Sequence, residues 1–517
     1  MTQPLPFHPF LFVLSILLFF CAYNLGRMTL AENLAPMAAI LAPVLVLQLA
    51  VFWMKKARKA AAVLSLFFVM FCCYGQVFDV LPSVGGSGVR HAVLLLVWAV
   101  LFWAGVRTVV RLEGDLTNLT RALNLVSVAL VLMPAAQIAW YGMRGGLVWK
   151  WSRPTENPVP VSSKEAKLPR PDIYYIIVDR YAGAKTLRQS YDHDNEGFLN
   201  FLREKGFYVA TESHSNYLKT PTSLASSLNF EFLHSFTSDP GRQSADWAPA
   251  YSRIRDYRAW RFLKARGYKF VHLGTRWEPT RRNPNADVSL NFYTPPEMVW
   301  ALAQQTALHP FALLLDIAPL DQRLLEARRV PHQFERLVEI PADPAPTFTF
   351  AHFLVPHRPY IFESDGTVIS EDTAESRTRK ENYRNHVRFI NGKLRDAITQ
   401  LLAASPNPPV ILLQSDEGPF PIRYPVEAVK FNWKEATADD LREKTGILNA
   451  YYLPGVSYDQ LYPSISPVNS FRLVFNLYFH AGLPLLPDEH YAHSDDNHPY
   501  DFYPITNVIR STQAKKN

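Results

Sequence analysis

The sequence predicts an N-terminal bundle of five transmembrane helices followed by an α/β domain whose mostly parallel sheet is covered by helices. Three observations lead to this prediction. Charged residues are sparse in 7–143, although they make up 19% of the 517-residue chain. Five prolines then fall within 144–171. Beyond them, short apolar runs alternate with amphipathic stretches, which is typical of parallel strands connected by helices.

The five apolar stretches are each close to the roughly 20 residues that cross a bilayer as a helix. The first has no Lys or Arg before it and four more follow, so we expect a retained anchor rather than a signal peptide. No Asp, Glu, Lys or Arg lies at mid-span, which favours an anchor over an ion pathway. The predicted spans are about 7–25, 35–54, 60–78, 91–110 and 122–143.

Positive charge in the short loops predicts the orientation. Lys and Arg concentrate between spans two and three and between spans four and five, and such loops are cytoplasmic by the positive-inside rule. The N-terminus is then cytoplasmic, and the region after Met143 is periplasmic or extracellular. We therefore expect a multi-pass protein of the cytoplasmic (inner) membrane. The net charge of +7 comes without a clustered basic stripe, so nucleic acid is not an expected partner.

The proline-rich stretch 144–171 predicts a stiff linker, because proline lacks an amide donor and fixes φ. The outer domain is predicted over 172–517 and contains no cysteine, so it needs no disulfide. The predicted strands are 173–178, 268–273, 348–353, 410–414 and 447–453. The predicted helices include 196–205, 257–265, 376–403 and 469–479.

Ligands of open parallel sheets bind beyond the carboxyl ends of the strands, so polar residues there are the candidates for chemistry. Asp179 follows the first strand, and Asp416 and Glu417 follow the run ending at 414. Thr220 precedes Pro221 at a predicted helix start. Each has a structural explanation alone: a turn former, an exposed loop, a helix N-cap. Together they suit a divalent cation that binds the three carboxylates and the Thr220 oxygen and activates Thr220 as a nucleophile.

These residues resemble motifs of the alkaline phosphatase superfamily, in its sulfatase-like branch. Asp179 matches an acid after the first strand, Thr220-Pro221-Thr222-Ser223 matches T-x-x-S, and Asp416 matches the Asp of an Asp-His pair. His357-Arg358-Pro359-Tyr360 matches an H-x-P-Y segment that binds substrate phosphate in the family. With five spans ahead of it, the chain is similar to lipoteichoic acid synthases and phosphoethanolamine transferases. The resemblance implies an alkaline phosphatase-like fold, a bound metal and a threonine nucleophile.

One departure concerns the metal. The family's S-D-H-G is S-D-E-G here, so Glu417 stands in place of a histidine ligand. An all-oxygen site shifts the expected metal toward manganese or magnesium, with calcium or zinc as alternatives. Sulfatases form formylglycine in a C/S-x-P-x-R segment, which the sequence around Thr220 lacks, so phosphoryl chemistry is favoured over sulfate-ester hydrolysis.

Other polar residues are weaker candidates. His272, Arg276, Trp277 and Arg281 follow or end an apolar strand and could join His357 in binding substrate, although arginines are common at surfaces and Trp277 could be core. His352 is expected to pack at the end of its strand. His498 has a loop interpretation and a metal-ligand one.

The sequence therefore predicts a membrane-anchored, metal-dependent transferase of the cell envelope of a bacterium. A phosphorylated head group, phosphoglycerol or phosphoethanolamine, would pass from a membrane lipid through a phospho-threonine to a glycan or lipid acceptor. Two alternatives stay open: a hydrolase or phosphodiesterase that uses water as acceptor, and a non-catalytic envelope scaffold that retains the fold. The oligomeric state is not predicted.

Overall fold

A computed structural model describes residues 3–27, 30–81, 87–143, 170–315, 322–340, 345–424 and 431–511. The chain divides into two compact units, one made of residues 1–150 and 294–325 and the other of residues 151–293 and 326–517. The linker predicted over 144–171 lies outside the described residues except at its end, 170–171.

Nineteen α-helices lie in the described residues. They are α1 His8–Tyr23, α2 Leu30–Phe52, α3 Ala57–Val80, α4 Ser87–Arg111, α5 Thr117–Met143, α6 Ala184–Tyr191, α7 Glu196–Glu204, α8 Thr220–Asn229, α9 Ala248–Arg255, α10 Arg258–Lys264, α11 Glu278–Arg281, α12 Glu297–Gln305, α13 His309–Leu314, α14 Gln322–Glu339, α15 Glu371–Glu375, α16 Arg379–Ala404, α17 Ala438–Thr445, α18 Ser470–Phe479 and α19 Thr506–Arg510. The strands are β1 Ile173–Val178, β2 Tyr208–Val209, β3 Lys269–Leu273, β4 Val288–Leu290, β5 Thr347–Phe353, β6 Val410–Gln414, β7 Asn449–Tyr452, β8 Tyr491–Ala492 and β9 Tyr503–Pro504.

Four of the N-terminal helices are long and apolar enough to cross a membrane: Asn33–Phe52, Ala57–Val80, Gly88–Arg111 and Thr117–Met143. The fifth, α1, has 16 residues. At 1.5 Å per residue it is about 24 Å long, short of a hydrocarbon core of about 30 Å. The described residues thus contain four helices of spanning length, and five crossings stay a prediction.

The first unit also contains a pair of short helices that comes from much later in the chain. Met298 of α12 is fully buried in a cluster with Leu17, Cys21 and Ile138. Between α12 and α13, the amide of Ala307 donates to the Phe71 carbonyl of α3 at 2.9 Å. A sequence prediction that runs the outer domain unbroken over 172–517 does not anticipate this grouping.

The second unit is built on a sheet of seven strands in the order β2-β7-β6-β1-β5-β3-β4. The contacts of β1 with β5 and β6, and of β3 with β4 and β5, are parallel, whereas β7 runs antiparallel to β6 and β2. The prediction of a mostly parallel sheet is confirmed. The predicted bounds of β1 and β6 match the structure residue for residue.

The central strand β1 is buried on both faces, as its unbroken apolar sequence predicts. Ile173, Tyr175 and Ile177 enter one hydrophobic core, and Tyr174, Ile176 and Val178 enter the other. This alternation is the two-residue period of a strand. The long helix α16 packs against the second core and begins with a capping box between Thr378 and Glu381.

Candidate metal centre and basic cleft

Three buried ligand groups meet at the carboxyl ends of three adjacent strands. Asp179 directly follows β1, His352 lies near the end of β5, and Asp416 comes two residues after β6. One ligand atom from each lies within 4.8 Å of those of the other two. Because β6, β1 and β5 are neighbours in the sheet, the parallel register brings these residues together.

The same three residues carry polar atoms without hydrogen-bond partners among the described residues. These atoms are Asp179 Oδ1, His352 Nε2 and Asp416 Oδ2, all of them buried. Buried side-chain polar atoms are nearly always satisfied, so three unsatisfied atoms at one place call for an explanation. Two carboxylates and an imidazole fit a divalent transition metal such as zinc or manganese.

Burial also shifts the titration of this cluster. It lowers the pKa of His352 to about 3, which keeps the imidazole neutral, the form that binds metals. Burial and the neighbouring Asp416 carboxylate raise the pKa of Asp179 well above its ordinary value. Close carboxylates in a dry site repel each other, and a dication would relieve that repulsion.

A threonine and an aromatic ring orient His352. Its Nδ1 lies 3.1 Å from Thr280 Oγ1, which in turn lies 2.8 Å from Thr275 Oγ1. Trp277 packs edge-on against the His352 ring with centroids 6.0 Å apart. Outer hydrogen bonds of this kind fix the ring and leave the other nitrogen for a metal.

Glu417 has a different environment from the one expected of it. Its Oε1 lies 2.8 Å from Arg180 Nε and 2.8 Å from Lys444 Nζ, and its side chain is fully buried. Two cations therefore neutralise this carboxylate. Its second oxygen, Oε2, is buried without a hydrogen-bond partner among the described residues, so metal binding by that atom stays a prediction.

Thr220 lies in the first turn of α8, where Lys219 rather than Thr220 is the N-cap residue. One turn further on, Ser223 Oγ donates to the Asp416 carbonyl oxygen at 2.5 Å. Residues three apart on a helix are neighbours on its surface, about 5–6 Å between Cβ atoms. This bond therefore ties the helix start that carries Thr220 to the Asp416 loop.

His357, one of the predicted substrate-binding residues, lines a cleft, here called the basic cleft. Its other described lining residues are Arg180, Tyr191, Pro356, Arg358, Tyr360, Arg379, Tyr383, Pro419 and Phe420. Arg180 connects this cleft to the metal centre, because its backbone N–H donates to Asp416 Oδ1 at 2.9 Å. The cleft thus opens beside the strand ends that carry the metal ligands.

The other four predicted substrate-binding residues are not among the described lining residues of this cleft. His272 is buried, with Nε2 2.9 Å from the Thr280 carbonyl, and burial lowers its pKa to about 4. Arg276 pairs with Glu326 at 3.1 Å, and Arg281 pairs with Glu278 at 3.0 Å. Together with Trp277 they lie around the segment that orients His352.

Sequence reasoning treated His352 as a packing residue and did not single out Arg180 or Lys444. His352 could have been found from its place at a strand end beside Asp179. Lys444 gives no local signal, since it lies in α17, 27 residues after Glu417.

The chain is similar to known proteins only at low sequence identity. No protein-family model matches the chain, and no curated protein matches it. Among solved structures, the chain is similar to the C-terminal periplasmic domain of EcEptC from Escherichia coli (13% identity, TM-score 0.41), over 66% of this chain and 94% of that one. It is similar to lipooligosaccharide phosphoethanolamine transferase A from Neisseria meningitidis (12%, 0.39), over 90% and 95%.

A third similar structure is BT1596, a 2-O GAG sulfatase (12% identity, TM-score 0.37), over 62% of this chain and 72% of that one. Phosphoethanolamine transferases and sulfatases are the kinds of protein that the motifs of the sequence resemble. With identities and TM-scores this low, the function has to be inferred from the residues of the site itself.

Proposed function

We propose that this protein is a membrane-anchored, metal-dependent transferase that moves a phosphorylated head group from a membrane lipid to an envelope glycan or lipid. The observation that carries the proposal is the convergence of Asp179, His352 and Asp416, with three buried unpartnered atoms, beside a cleft lined by arginines. A cation and positive side chains together suit an anionic phosphodiester.

Asp179, His352 and Asp416 would hold the metal, with Thr220 and Glu417 Oε2 as further candidate ligands. When bound, the metal supplies a Lewis acid that lowers the pKa of a nearby hydroxyl and neutralises charge on a phosphate. With His352 among the ligands, zinc and manganese both suit the site better than magnesium.

The chemistry would proceed in two displacements. Thr220 Oγ1 gives up its proton and attacks the phosphorus of the lipid phosphodiester. The bond from phosphorus to the lipid oxygen breaks, and that oxygen takes up a proton and leaves as the lipid alcohol. An acceptor hydroxyl then attacks the phospho-threonine, gives up its proton, and restores the Thr220 hydroxyl. His357 and Arg180 would stabilise the equatorial oxygens in both steps.

The membrane helices would keep this site close to its lipid donor, which raises the donor's effective concentration. We propose five crossings of the cytoplasmic membrane, with the N-terminus inside and residues 172–517 as a periplasmic or extracellular domain. The basic loops support this orientation.

The experiment uses the full chain in lipid nanodiscs with phosphatidylglycerol or phosphatidylethanolamine that carries a fluorescent acyl chain. We expect divalent metal to be required for release of fluorescent diacylglycerol, and mass spectrometry to find a head-group phosphate ester on Thr220. Head group released only to water would make the protein a hydrolase. Metal-loaded protein that releases nothing from either lipid would overturn the proposal.

A further inference from the structure

We infer that the basic cleft selects a head group that carries anionic oxygens and no ammonium group, with Arg180 as the contacting residue and Glu417 as the residue that positions it. This inference rests on the proposed function and names its substrate class: phosphoglycerol-type rather than phosphoethanolamine-type donors.

The charge of the cleft is the first argument. Arg180, Arg358 and Arg379 line it together with His357, and no carboxylate is among its described lining residues. Guanidinium groups pair with phosphate and carboxylate oxygens through parallel N–H bonds. An ammonium group would meet like charges in this cleft, which is a means of rejecting the wrong substrate.

Arg180 is fixed at both its backbone and its side chain. Its φ of 61° lies in the left-handed region, which is uncommon for a residue with a side chain. Tyr383 Oη donates to its carbonyl at 2.7 Å, and its own Nε donates to Glu417 Oε1 at 2.8 Å. A rare backbone conformation held by several bonds indicates a position that the surrounding structure defines closely.

The pairing of Glu417 explains why this carboxylate can sit next to a metal centre. Lys444 Nζ also lies 2.8 Å from Glu417 Oε1, so two cations face one anion. With a dication balancing Asp179 and Asp416, the region keeps an excess of positive charge that Arg358 and Arg379 increase. Such a field attracts an anionic head group and disfavours one that also carries an ammonium.

A second acid close to the cleft, besides Glu417, is Glu443, which accepts a bond from the Ile422 amide at 3.0 Å and is not among the described lining residues. Burial raises the pKa of Glu443 to about 7, and Arg379 opposes that rise. Neither Glu417 nor Glu443 is among the described lining residues, so neither presents a carboxylate oxygen to an ammonium group in the cleft.

The test measures binding and turnover separately. In the full-length Thr220→Ala protein loaded with metal, calorimetry should detect glycerol 1-phosphate binding at least about 10-fold tighter than phosphoethanolamine, the size of one charge-assisted hydrogen bond. In the unsubstituted protein, phosphatidylglycerol should be a better donor than phosphatidylethanolamine by a similar factor. Equal binding, or tighter binding of phosphoethanolamine, would overturn the inference.

The variants assign the selectivity to residues. Arg180→Met should weaken glycerol 1-phosphate binding about 10- to 100-fold. Glu417→Gln, compared with the parent protein at equal metal content, should raise KM for phosphatidylglycerol more than it changes kcat. Arg188→Met, at a side chain that is 64% exposed and outside the cleft, is the matched control. An Arg180→Met effect no larger than this control would refute the role of Arg180.

Two further outcomes separate this inference from the proposed function. Selective binding of glycerol 1-phosphate without any turnover would support the inferred selectivity of the cleft and refute the proposed transferase activity. Turnover that prefers phosphatidylethanolamine would support the transferase activity and refute the inferred selectivity. Should Arg180→Met fail to fold, Arg358→Met at the exposed rim provides the same comparison.

Discussion

The Nζ atom of Lys444 lies 2.8 Å from Oε1 of Glu417, and neither side chain has more than 1% of its surface exposed. Burial lowers the pKa of Lys444 to about 8, while Glu417 opposes that shift. Taking two charges out of water is costly, and their attraction offsets this cost only while both are present. Removing either partner therefore leaves the other charge buried with less compensation.

Replacing one partner should destabilise the fold. We expect Lys444→Met to cost about 3 kcal/mol of unfolding free energy, because the buried Glu417 carboxylate loses one of its two counter-ions. Denaturant unfolding of the full chain in detergent measures this. Lys434→Met removes a lysine that is 56% exposed and should cost less than about 1 kcal/mol. The pair has no such role if adding Glu417→Gln to Lys444→Met recovers none of the loss.

Metal content should follow the three clustered residues. We expect about one divalent ion per purified chain, falling well below that in His352→Ala and Asp416→Asn, because each change removes a ligand from a site with few others. Inductively coupled plasma mass spectrometry measures the ratio. His498→Ala is the control, since His498 pairs with Asp495 at 2.9 Å and lies outside the cluster. Unchanged metal in both variants would remove the assignment.

Metal affinity should also depend on Thr280, whose side chain contacts the proposed metal ligand His352. Thr280→Val loses the 3.1 Å contact with His352 Nδ1 and should weaken metal binding about 10- to 100-fold. Titration of metal-depleted protein gives the affinity. Thr237→Val removes only an exposed bond to the His234 carbonyl and serves as the matched control. Equal affinities in the two variants would mean that His352 is not a ligand.

The buried acid Glu443 should make stability depend on pH. Burial raises its pKa from 4.5 to about 7 in the folded chain, so the folded state binds more protons than the unfolded state between these values. Its unfavourable contribution is thus absent below about pH 4.5, grows as pH rises, and levels off above about pH 7, at no more than about 3 kcal/mol.

Glu443→Gln removes that titration, so the variant should gain thermal stability over the parent protein as pH rises from 5 to 8. Unfolding midpoints of the full chain in detergent measure the difference. Glu204→Gln, at an exposed position of α7, should show no such trend. A difference that stays constant with pH would contradict the shift.

The sequence carried enough information for two of the clustered ligands and for five of the nine described strands, namely β1, β3, β5, β6 and β7. Unbroken apolar runs specify β1 and β6 because a buried parallel strand has no polar face, and Asp179 and Asp416 then mark the strand ends. The local sequence pattern does not identify the third ligand. His352 belongs to a fully buried strand, and only the neighbouring strands reveal that its ring faces two carboxylates.

The ion pairs of Glu417 could not be predicted from the sequence for a similar reason. Arg180 and Glu417 are 237 residues apart, and Lys444 reaches Glu417 from a separate helix. Glu417 stands where the resembled motif has a histidine, and the sequence alone predicted it as an oxygen ligand because it does not reveal the contacts with Arg180 and Lys444. The length of α1 was also overestimated, because the apolar sequence extends past the point at Tyr23 where the helix ends.

The bond from Ala307 to Phe71 has a practical consequence for dissecting this protein. Cutting the chain near residue 170 would strip Met298 of its neighbours on α1 and α5, while Leu308, Phe311 and Leu314 are already 45%, 47% and 78% exposed. A fragment without the N-terminal helices would thus expose the apolar side chains of α12 and α13 to water. We expect this fragment to need detergent to remain monodisperse. A fragment that also lacks residues 294–315 should remain monodisperse without detergent.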